Sequence, residues 1–327
     1  MKQIAKYGRL GSADTLTNPH GIIMPAVVAD CGEGTCRRFI EFFAVNIRNI
    51  NTRKAYYTAI SGFLNWCEAR GIKFEQIEPL VVAAYIEQNT ASPPTVKQHL
   101  AAIRMLFDWL VLGHAVPVNP ALSVRGPKYV LRKGKTPVLS KGQTRMLLES
   151  IDISSVVGLR DRALIATMIY SFARVGAVVG MRVADYYENG KRWWLRLHEK
   201  GGRFHEVPTH HKLEEYMDEY MTASGLWEDM KGPLFRTALG RSQRLTNNYM
   251  TPADVYRMIR RRAKRVGITM PIGCHTFRAI GITNYLENGG TLERAQVLAA
   301  HSSPRTTKLY DRTSDEITLD EVERIVI

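Results

Sequence analysis

Apolar residues between positions 35 and 113 recur every three to four residues, the spacing that places them on one face of a helix. Glycine and proline interrupt this spacing, and both residues are common at helix ends. The pattern therefore predicts a small bundle of four short helices. These helices begin near Thr35, after the capping candidate Asn51, at Pro79 and after Ser92, and they end near Ile47, Gly71, Gln88 and Gly113.

Beyond Ser140, helical patterns flank a segment in which apolar and polar residues alternate with period two. That alternation, with the turns Asn189-Gly190 and Gly201-Gly202, predicts a three-stranded antiparallel meander. The expected fold is therefore mainly α with a small antiparallel β-meander, in the α+β class. The strands are predicted at 183–187, 193–198 and 204–207, and the helices near 141–151, 158–172, 211–223, 252–266, 275–288, 291–300 and 305–310.

Two unpatterned segments divide the chain. Residues 1–30 mix glycine and proline with polar residues, which predicts a flexible amino-terminal tail. Between Asp108 and Glu149 there are seven basic residues and no acidic one, so we expect residues 117–139 to form an extended basic linker. The predicted order is the tail 1–30, a helical domain 31–116, the linker 117–139, a second domain 140–312 and a carboxy-terminal tail 313–327.

The charge balance points to a polyanionic partner. The 327 residues are 45% hydrophobic, which is enough apolar material for about two packed domains. Lysine and arginine number 45 against 31 acidic residues, a formal net charge of +14, so nucleic acid is the first partner to consider. No apolar run approaches the roughly 18 residues that cross a bilayer, and no secretory signal is evident, so we expect no membrane association.

The spacing of cysteine and histidine supports neither a disulfide framework nor a metal site. The four cysteines form no CxxC pair, and we interpret them as thiols of a reducing compartment. His210 and His211 are adjacent, and adjacent side chains in a helix or strand point apart. No carboxylate cluster of the two-metal type is evident. A metal-dependent nuclease is therefore disfavoured, and we expect no metal and no cofactor.

Five segments carry the polar side chains that phosphoryl transfer requires. Taken singly they say little, because an arginine or histidine beside a helix is usually structural. Their order is specific, and it resembles that of the tyrosine recombinase (phage integrase) family over nearly the whole chain after residue 35. The segments are 171–176, 199–203, 275–278, 300–303 and 306–310, and the six catalytic candidates in them are Arg174, Lys200, His275, Arg278, His301 and Tyr310.

These residue types suit the cleavage of a phosphodiester. Negative charge builds on two non-bridging oxygens, which the guanidinium groups of Arg174 and Arg278 can bind in bidentate fashion. A tyrosine that attacks phosphorus must lose a proton, and the departing 5′ oxygen must gain one. Among these residues, His275 is the best candidate for the base that removes the tyrosine proton.

The resemblance implies the remaining roles. Lys200 would protonate the 5′ leaving oxygen, His301 would hydrogen-bond a phosphate oxygen, and Tyr310 would form a 3′-phosphotyrosine link without ATP or metal. The helical domain would be a core-binding (SAM-like) domain that forms, with the catalytic domain, a C-shaped clamp around duplex DNA. A bacterial cytoplasmic protein associated with the nucleoid is expected.

Candidate DNA contacts lie in three places. Like charges in the linker repel one another unless a polyanion lies against them, although a solvated linker is the alternative. The fourth helix offers base-edge donors that could equally bind phosphates, and a later helix is strongly basic. The candidates are Lys97, Gln98 and Arg104 in the fourth helix, Arg125, Lys128, Arg132, Lys133 and Lys135 in the linker, and Arg257, Arg260 and Arg261 in the basic helix.

Three positions depart from the family pattern. Ala177 stands where an acid is common, Ala279 where a histidine often follows the second arginine, and Ala300 where glycine often precedes the histidine. The first two positions resemble supports of the active-site groups, so their change could loosen the site or mark a subfamily with other supports.

The resemblance implies a site-specific recombinase that acts on double-stranded DNA, as a homodimer on each site and a homotetramer across two sites. The tail 313–327 would dock on the neighbouring protomer, and accessory DNA-binding proteins could assist. The alternatives are a type IB topoisomerase and a non-catalytic DNA-binding regulator with the same fold. A mobile genetic element is the favoured host; phage, transposon, integrative element and chromosome-dimer resolution all stay open.

Overall fold

The computed structural model describes residues 22–130, 134–199, 203–240, 242–311 and 323. The chain forms two compact units, one up to Val130 and one from Leu131 onward. Both units are mainly helical, and the strands lie in the second. This confirms the predicted fold class.

The first unit is a helical bundle. Asn49, rather than the predicted Asn51, caps the second long helix, because its side-chain oxygen accepts from the backbone N–H groups of Asn51 and Thr52. A π-helical turn at Phe42–Asn46 separates two of the helices. The α-helices are α1 (Ala26–Ala29), α2 (Glu33–Glu41), α3 (Ile50–Glu68), α4 (Pro79–Gln88) and α5 (Pro93–Leu112), and a 3₁₀ turn covers Phe74–Gln76.

The core of the first unit includes residues that the sequence assigned to tail and linker. Met24 and Val28 are buried in the same cluster as the aromatic side chains of α2 and α3, so the described part of the tail, from Ile22, contributes side chains to this core. Ala121 and Val124 are buried there too. The start of the predicted linker is therefore part of this unit. Burial of its apolar side chains removes them from water, which is favourable.

The second unit contains two small antiparallel sheets surrounded by helices. The meander forms as predicted, with Leu197 paired with His205 and Glu199 paired with Arg203. A further hairpin and a short helix, α8, were not predicted. The helices are α6 (Lys141–Glu149), α7 (Val156–Tyr170), α8 (Val175–Val179), α9 (His211–Ser224), α10 (Pro252–Arg265), α11 (Cys274–Glu287), α12 (Leu292–Leu298) and α13 (Pro304–Lys308). The strands are β1 (Tyr186–Asn189), β2 (Arg192–Glu199), β3 (Arg203–Pro208), β4 (Arg236–Ala238) and β5 (Leu245–Tyr249).

Helix α7 lies at the centre of this unit. A Cβ on Gly281 of α11 would lie 2.0 Å from the carbonyl oxygen of Ile169, so glycine permits the close contact between the two helices. Asp161 of α7 is fully buried and forms two ion pairs. Its Oδ1 lies 2.6 Å from Nη2 of Arg160, and its Oδ2 lies 2.7 Å from Nη2 of Arg262 of α10. Because a buried carboxylate needs such partners, these bonds fix α10 on α7.

The helices and the cysteines add two further observations. None of their helices is long and apolar enough to cross a membrane. All four cysteines, at positions 31, 36, 67 and 274, are free thiols.

Candidate active site

Arg174 lies in the tight turn between α7 and α8. Phe172 in this turn has a φ of 54°, a left-handed conformation that few non-glycine residues adopt. The Arg174 side chain is 36% exposed, and its Nη1 lies 2.5 Å from Oε2 of Glu199, whose side chain is 4% exposed. A buried carboxylate therefore holds a guanidinium group that solvent can still reach.

Arg278, on α11, is almost fully buried. Its Nη1 donates to the carbonyl oxygen of Phe172, and its Nη2 donates to that of Ala299 at 2.5 Å. Nε has no hydrogen-bond partner among the described residues, and a buried donor left unpaired is costly. Burial, and next the charge of Arg174, lower the pKa of Arg278 to about 10, so the group stays cationic at neutral pH.

His275 and His301 are both held neutral. His275 is exposed, but partial desolvation by the surrounding protein lowers its pKa, and the positive charges of Arg278 and Arg174 lower it further. His301 is buried, and burial followed by the same two arginines lowers its pKa to about 3. A neutral His275 can accept a proton at physiological pH.

The ring of His301 is oriented by Thr307. Its Nδ1 lies 2.9 Å from the Thr307 hydroxyl oxygen. When that hydroxyl donates, the neutral ring carries its proton on Nε2 and can donate it to a phosphate oxygen.

Tyr310 follows α13 and is 8% exposed. Its ring stacks on that of His301, with 5.8 Å between centroids and 12° between planes. Its N–H donates to the carbonyl oxygen of Thr307, and its own carbonyl oxygen accepts from the Thr283 hydroxyl, both at 2.9 Å. The carbonyl oxygen of Leu309, just before it, accepts from the N–H of Gly134 at 3.0 Å. The residue is therefore fixed through its backbone on both sides.

Five of the six catalytic candidates thus come together. The charges of Arg174, Arg278 and His275 all act on the pKa of His301, and Tyr310 acts on that of Arg278. The sixth, Lys200, lies outside the described residues, directly after the last residue of β2.

Sequence reasoning missed Glu199 as a site residue, although a signal was present. Leu195, Leu197 and Glu199 occupy alternate positions of β2, and all three are buried. A carboxylate on the apolar face of a strand must be paired, and its partner here is Arg174. The supporting roles of Thr283 and Thr307 depend on tertiary contacts and had no such signal.

The DNA-contact candidates differ in what the structure allows. Arg104 was expected to contact DNA, but its guanidinium donates to the backbone carbonyl oxygens of Ala121 and Val124. Two of its three guanidinium nitrogens therefore have a structural role within the first unit, and a contact of Arg104 with DNA stays a prediction. Arg132 and Lys133 lie outside the described residues. The exposed candidates are Lys97, Arg125, Lys128, Lys135, Arg257, Arg260 and Arg261, whereas Gln98 is half-buried.

No group of three or more His, Cys, Asp or Glu side chains able to hold a metal ion occurs within the described ranges. The site instead gathers cationic and neutral donors around a phenol, an arrangement suited to binding and attacking a phosphate group.

Two family models match the chain. Residues 137–316 match the model of the phage integrase family, and residues 36–113 match that of the phage integrase N-terminal SAM-like domain. The chain therefore belongs to the phage integrase family, the tyrosine recombinases. The resemblance read from the sequence is confirmed.

Among curated relatives, the chain is 28% identical to the tyrosine recombinase XerD of Ralstonia nicotianae over 273 residues, covering 81% of this chain and 85% of the relative. It is 25% identical to XerC of Thermodesulfovibrio yellowstonii over 269 residues, covering 80% and 85%. Among solved structures, the XerH site-specific recombinase bound to its difH substrate has a TM-score of 0.63 at 17% identity and covers 98% of this chain and 92% of that one. A lambda integrase tetramer bound to a Holliday junction has a TM-score of 0.66 at 16% identity, covering 94% and 87%; both likenesses show the fold.

Proposed function

We propose that this recombinase cuts and rejoins DNA strands at specific sites through a 3′-phosphotyrosine intermediate formed by Tyr310. The observation that carries the proposal is the position of the Tyr310 ring, which stacks on a neutral His301 beside the buried Arg278. The curated relatives are named tyrosine recombinases, which supports the same activity.

In the cleavage step, the Tyr310 oxygen attacks the scissile phosphorus and its proton passes to His275. The bond from phosphorus to the 5′ oxygen breaks, and Lys200 gives that oxygen a proton. Arg174 and Arg278 bind the non-bridging oxygens, where negative charge develops. The Nε2–H of His301 donates to one of them.

The rejoining step reverses cleavage. The 5′-hydroxyl of another strand attacks the phosphotyrosine and releases the Tyr310 hydroxyl, so one phosphodiester replaces another. Because the phosphotyrosine ester retains the bond energy of the phosphodiester, the exchange needs no ATP.

The direct test is covalent trapping by the Tyr310→Phe variant beside the parent chain. Duplexes selected from a random library by binding, each carrying a nick that lets the cut end diffuse away, should give a phenol-stable protein–DNA adduct with the parent and none with the variant. DNA affinity should stay within about twofold, since the change removes one hydroxyl and no charge. An adduct that persists in the variant would refute Tyr310 as the nucleophile.

We further propose that the protein acts as a homodimer on each site and a homotetramer across two sites. The similar lambda integrase fold was solved as a tetramer on a Holliday junction, which supports this assembly. The tail 313–327, almost all of it outside the described residues, would dock on the neighbouring protomer. Truncation after Thr313 should leave binding to a half-site intact but abolish cooperative binding and recombination. A truncated chain that recombines at the parental rate would rule out this role.

A type IB topoisomerase is the second candidate, since it would use the same phosphotyrosine chemistry as a monomer. The SAM-like domain match at 36–113 favours the recombinase. Action on chromosomal or mobile-element DNA would place the protein at the nucleoid in a bacterial cytoplasm.

A further inference from the structure

The ion pair between Glu199 and Arg174 carries an inference that rests on the proposed function. Glu199 is the last residue of β2, and its side chain is 4% exposed, whereas that of Arg174 is 36% exposed. Their 2.5 Å contact joins the end of a strand to the turn that begins α8. An ion pair with one buried partner resists solvent screening better than a surface pair.

The site has an excess of positive charge that Glu199 offsets. Arg174 lowers the pKa of Arg278, of His275 and of His301, which shows that its charge reaches all three groups. Among the described carboxylates, Glu199 is the one whose charge raises the pKa of Arg278. Without it, the repulsion between the two guanidinium groups would be stronger until phosphate bound, and Arg174 would lose the contact that orients it.

Glu199 also supplies the carboxylate that the family pattern commonly has at position 177. Ala177 lies one helical turn after Arg174 and is 4% exposed, so α8 supplies no carboxylate there. The acid comes from β2 instead. Because Lys200 is the next residue of the chain, the same side chain that holds Arg174 also anchors the strand end from which Lys200 follows.

We propose that Glu199 is a positioning residue for strand cleavage: its carboxylate holds Arg174 with one edge of the guanidinium directed to the scissile phosphate. Glu199 touches no DNA. Its loss should therefore slow the chemical step and leave binding of the duplex unchanged.

The first experiment replaces the carboxylate by an amide of the same shape. Glu199→Gln should lower the single-turnover rate of adduct formation at saturating protein at least tenfold, with DNA affinity within about twofold of the parent. The matched control is Glu206→Gln on β3, which removes the same charge from an exposed pair with Arg196 on the same hairpin. The control should cleave at the parental rate.

A second measurement separates positioning of Arg174 from general damage. In a methylphosphonate duplex of the same sequence, a methyl group replaces one non-bridging oxygen and removes the negative charge that the arginines neutralise. The defect of Glu199→Gln should shrink below threefold on this linkage. An equal defect on both linkages would show a merely structural role and overturn the proposal.

The conservative variant keeps the test valid if Glu199→Gln folds poorly. Glu199→Asp retains the charge on a shorter side chain and should cleave faster than Glu199→Gln. Equal rates for the two variants, or a parental rate for Glu199→Gln, would overturn the proposal. Failure of the parent chain to form any adduct would instead count against the proposed function.

Discussion

The substitution Gly134→Ala tests how the chain holds its nucleophile. The N–H of Gly134 donates to the carbonyl oxygen of Leu309 at 3.0 Å, and an added Cβ would lie 2.3 Å from that oxygen. Its φ lies outside the left-handed region, so close approach and not backbone conformation requires the glycine here. An ordinary contact between these atoms is more than 3 Å, so the two segments must separate by roughly 1 Å.

That separation changes the position of Tyr310. The Thr283 hydroxyl holds the carbonyl oxygen of Tyr310 in place, so a shift of Leu309 rotates Tyr310 and does not move the whole segment. Misplacement of a reacting group by about 1 Å can cost on the order of 10²-fold in rate. The lost hydrogen bond removes a further ~0.5–1.5 kcal/mol of stability. We therefore expect cleavage to fall about 10- to 100-fold, with DNA affinity unchanged.

The assay is single-turnover adduct formation on a nicked duplex at saturating protein, with affinity measured separately. Gly142→Ala is the matched control, because a Cβ there would lie 3.9 Å from the nearest atom outside its own neighbourhood. It lies within α6, and alanine has a higher helix propensity than glycine, so the control should not destabilise the helix. Cleavage by Gly134→Ala within twofold of the parent would refute the view that this contact positions Tyr310.

Four other predictions concern the proton transfers, the charge and the backbone. Lys200→Ala should be rescued on a substrate with sulfur in place of the 5′ oxygen, because the thiolate leaves without a proton; equal defects on both substrates would exclude Lys200 as the acid. DNA affinity should fall with salt with a log–log slope steeper than about −3, as measured by titration at several salt concentrations. His301 has a folded pKa of about 3 against an ordinary 6.5, so the unfolded chain takes up the proton first and stability falls as pH drops below 6.5. By pH 5 the loss is about 2 kcal/mol, and denaturant unfolding of His301→Gln should show a smaller decrease from pH 7 to pH 5. Ala300→Gly should raise stability by up to about 1 kcal/mol in the same assay, because Ala300 has a φ of 47° and relief of that strain exceeds the entropy that glycine adds to the unfolded chain.

Helices and the meander were predictable because their apolar periods extend over several turns or strands. The predicted range of the fourth helix agrees with α5, and the predicted strands agree with β1 to β3 within a few residues. The hairpin of β4 and β5 and the helix α8 have three to five residues each, too few for a period to be recognised. The packing of residues 22–30 and 117–124 was missed because isolated apolar side chains do not reveal which core they join.

The candidate site was predictable as a set of residue types in order, but not as a set of contacts. Arg174 and Arg278 are 104 positions apart in the chain, and only the fold shows that Phe172 and Ala299 hold the second of them. Arg104 is a similar case. The sequence shows a positive charge on a helix, and only the fold shows that two of its nitrogens donate to the backbone of the following segment.

The three departures from the family pattern have different physical consequences. At Ala177 the missing acid is offset from another element, since Glu199 pairs with Arg174. At Ala279 the side chain is fully buried in the apolar cluster that contains Phe172 and Tyr310, so packing replaces a polar support. Ala300 has the left-handed backbone conformation that favours glycine, although it is an alanine. This conformation forms the turn between the end of α12 and His301. A motif position can therefore lose its usual residue while the geometry of the site persists. A carboxylate from another strand, an apolar contact, or a strained backbone at the same position then replaces the missing support.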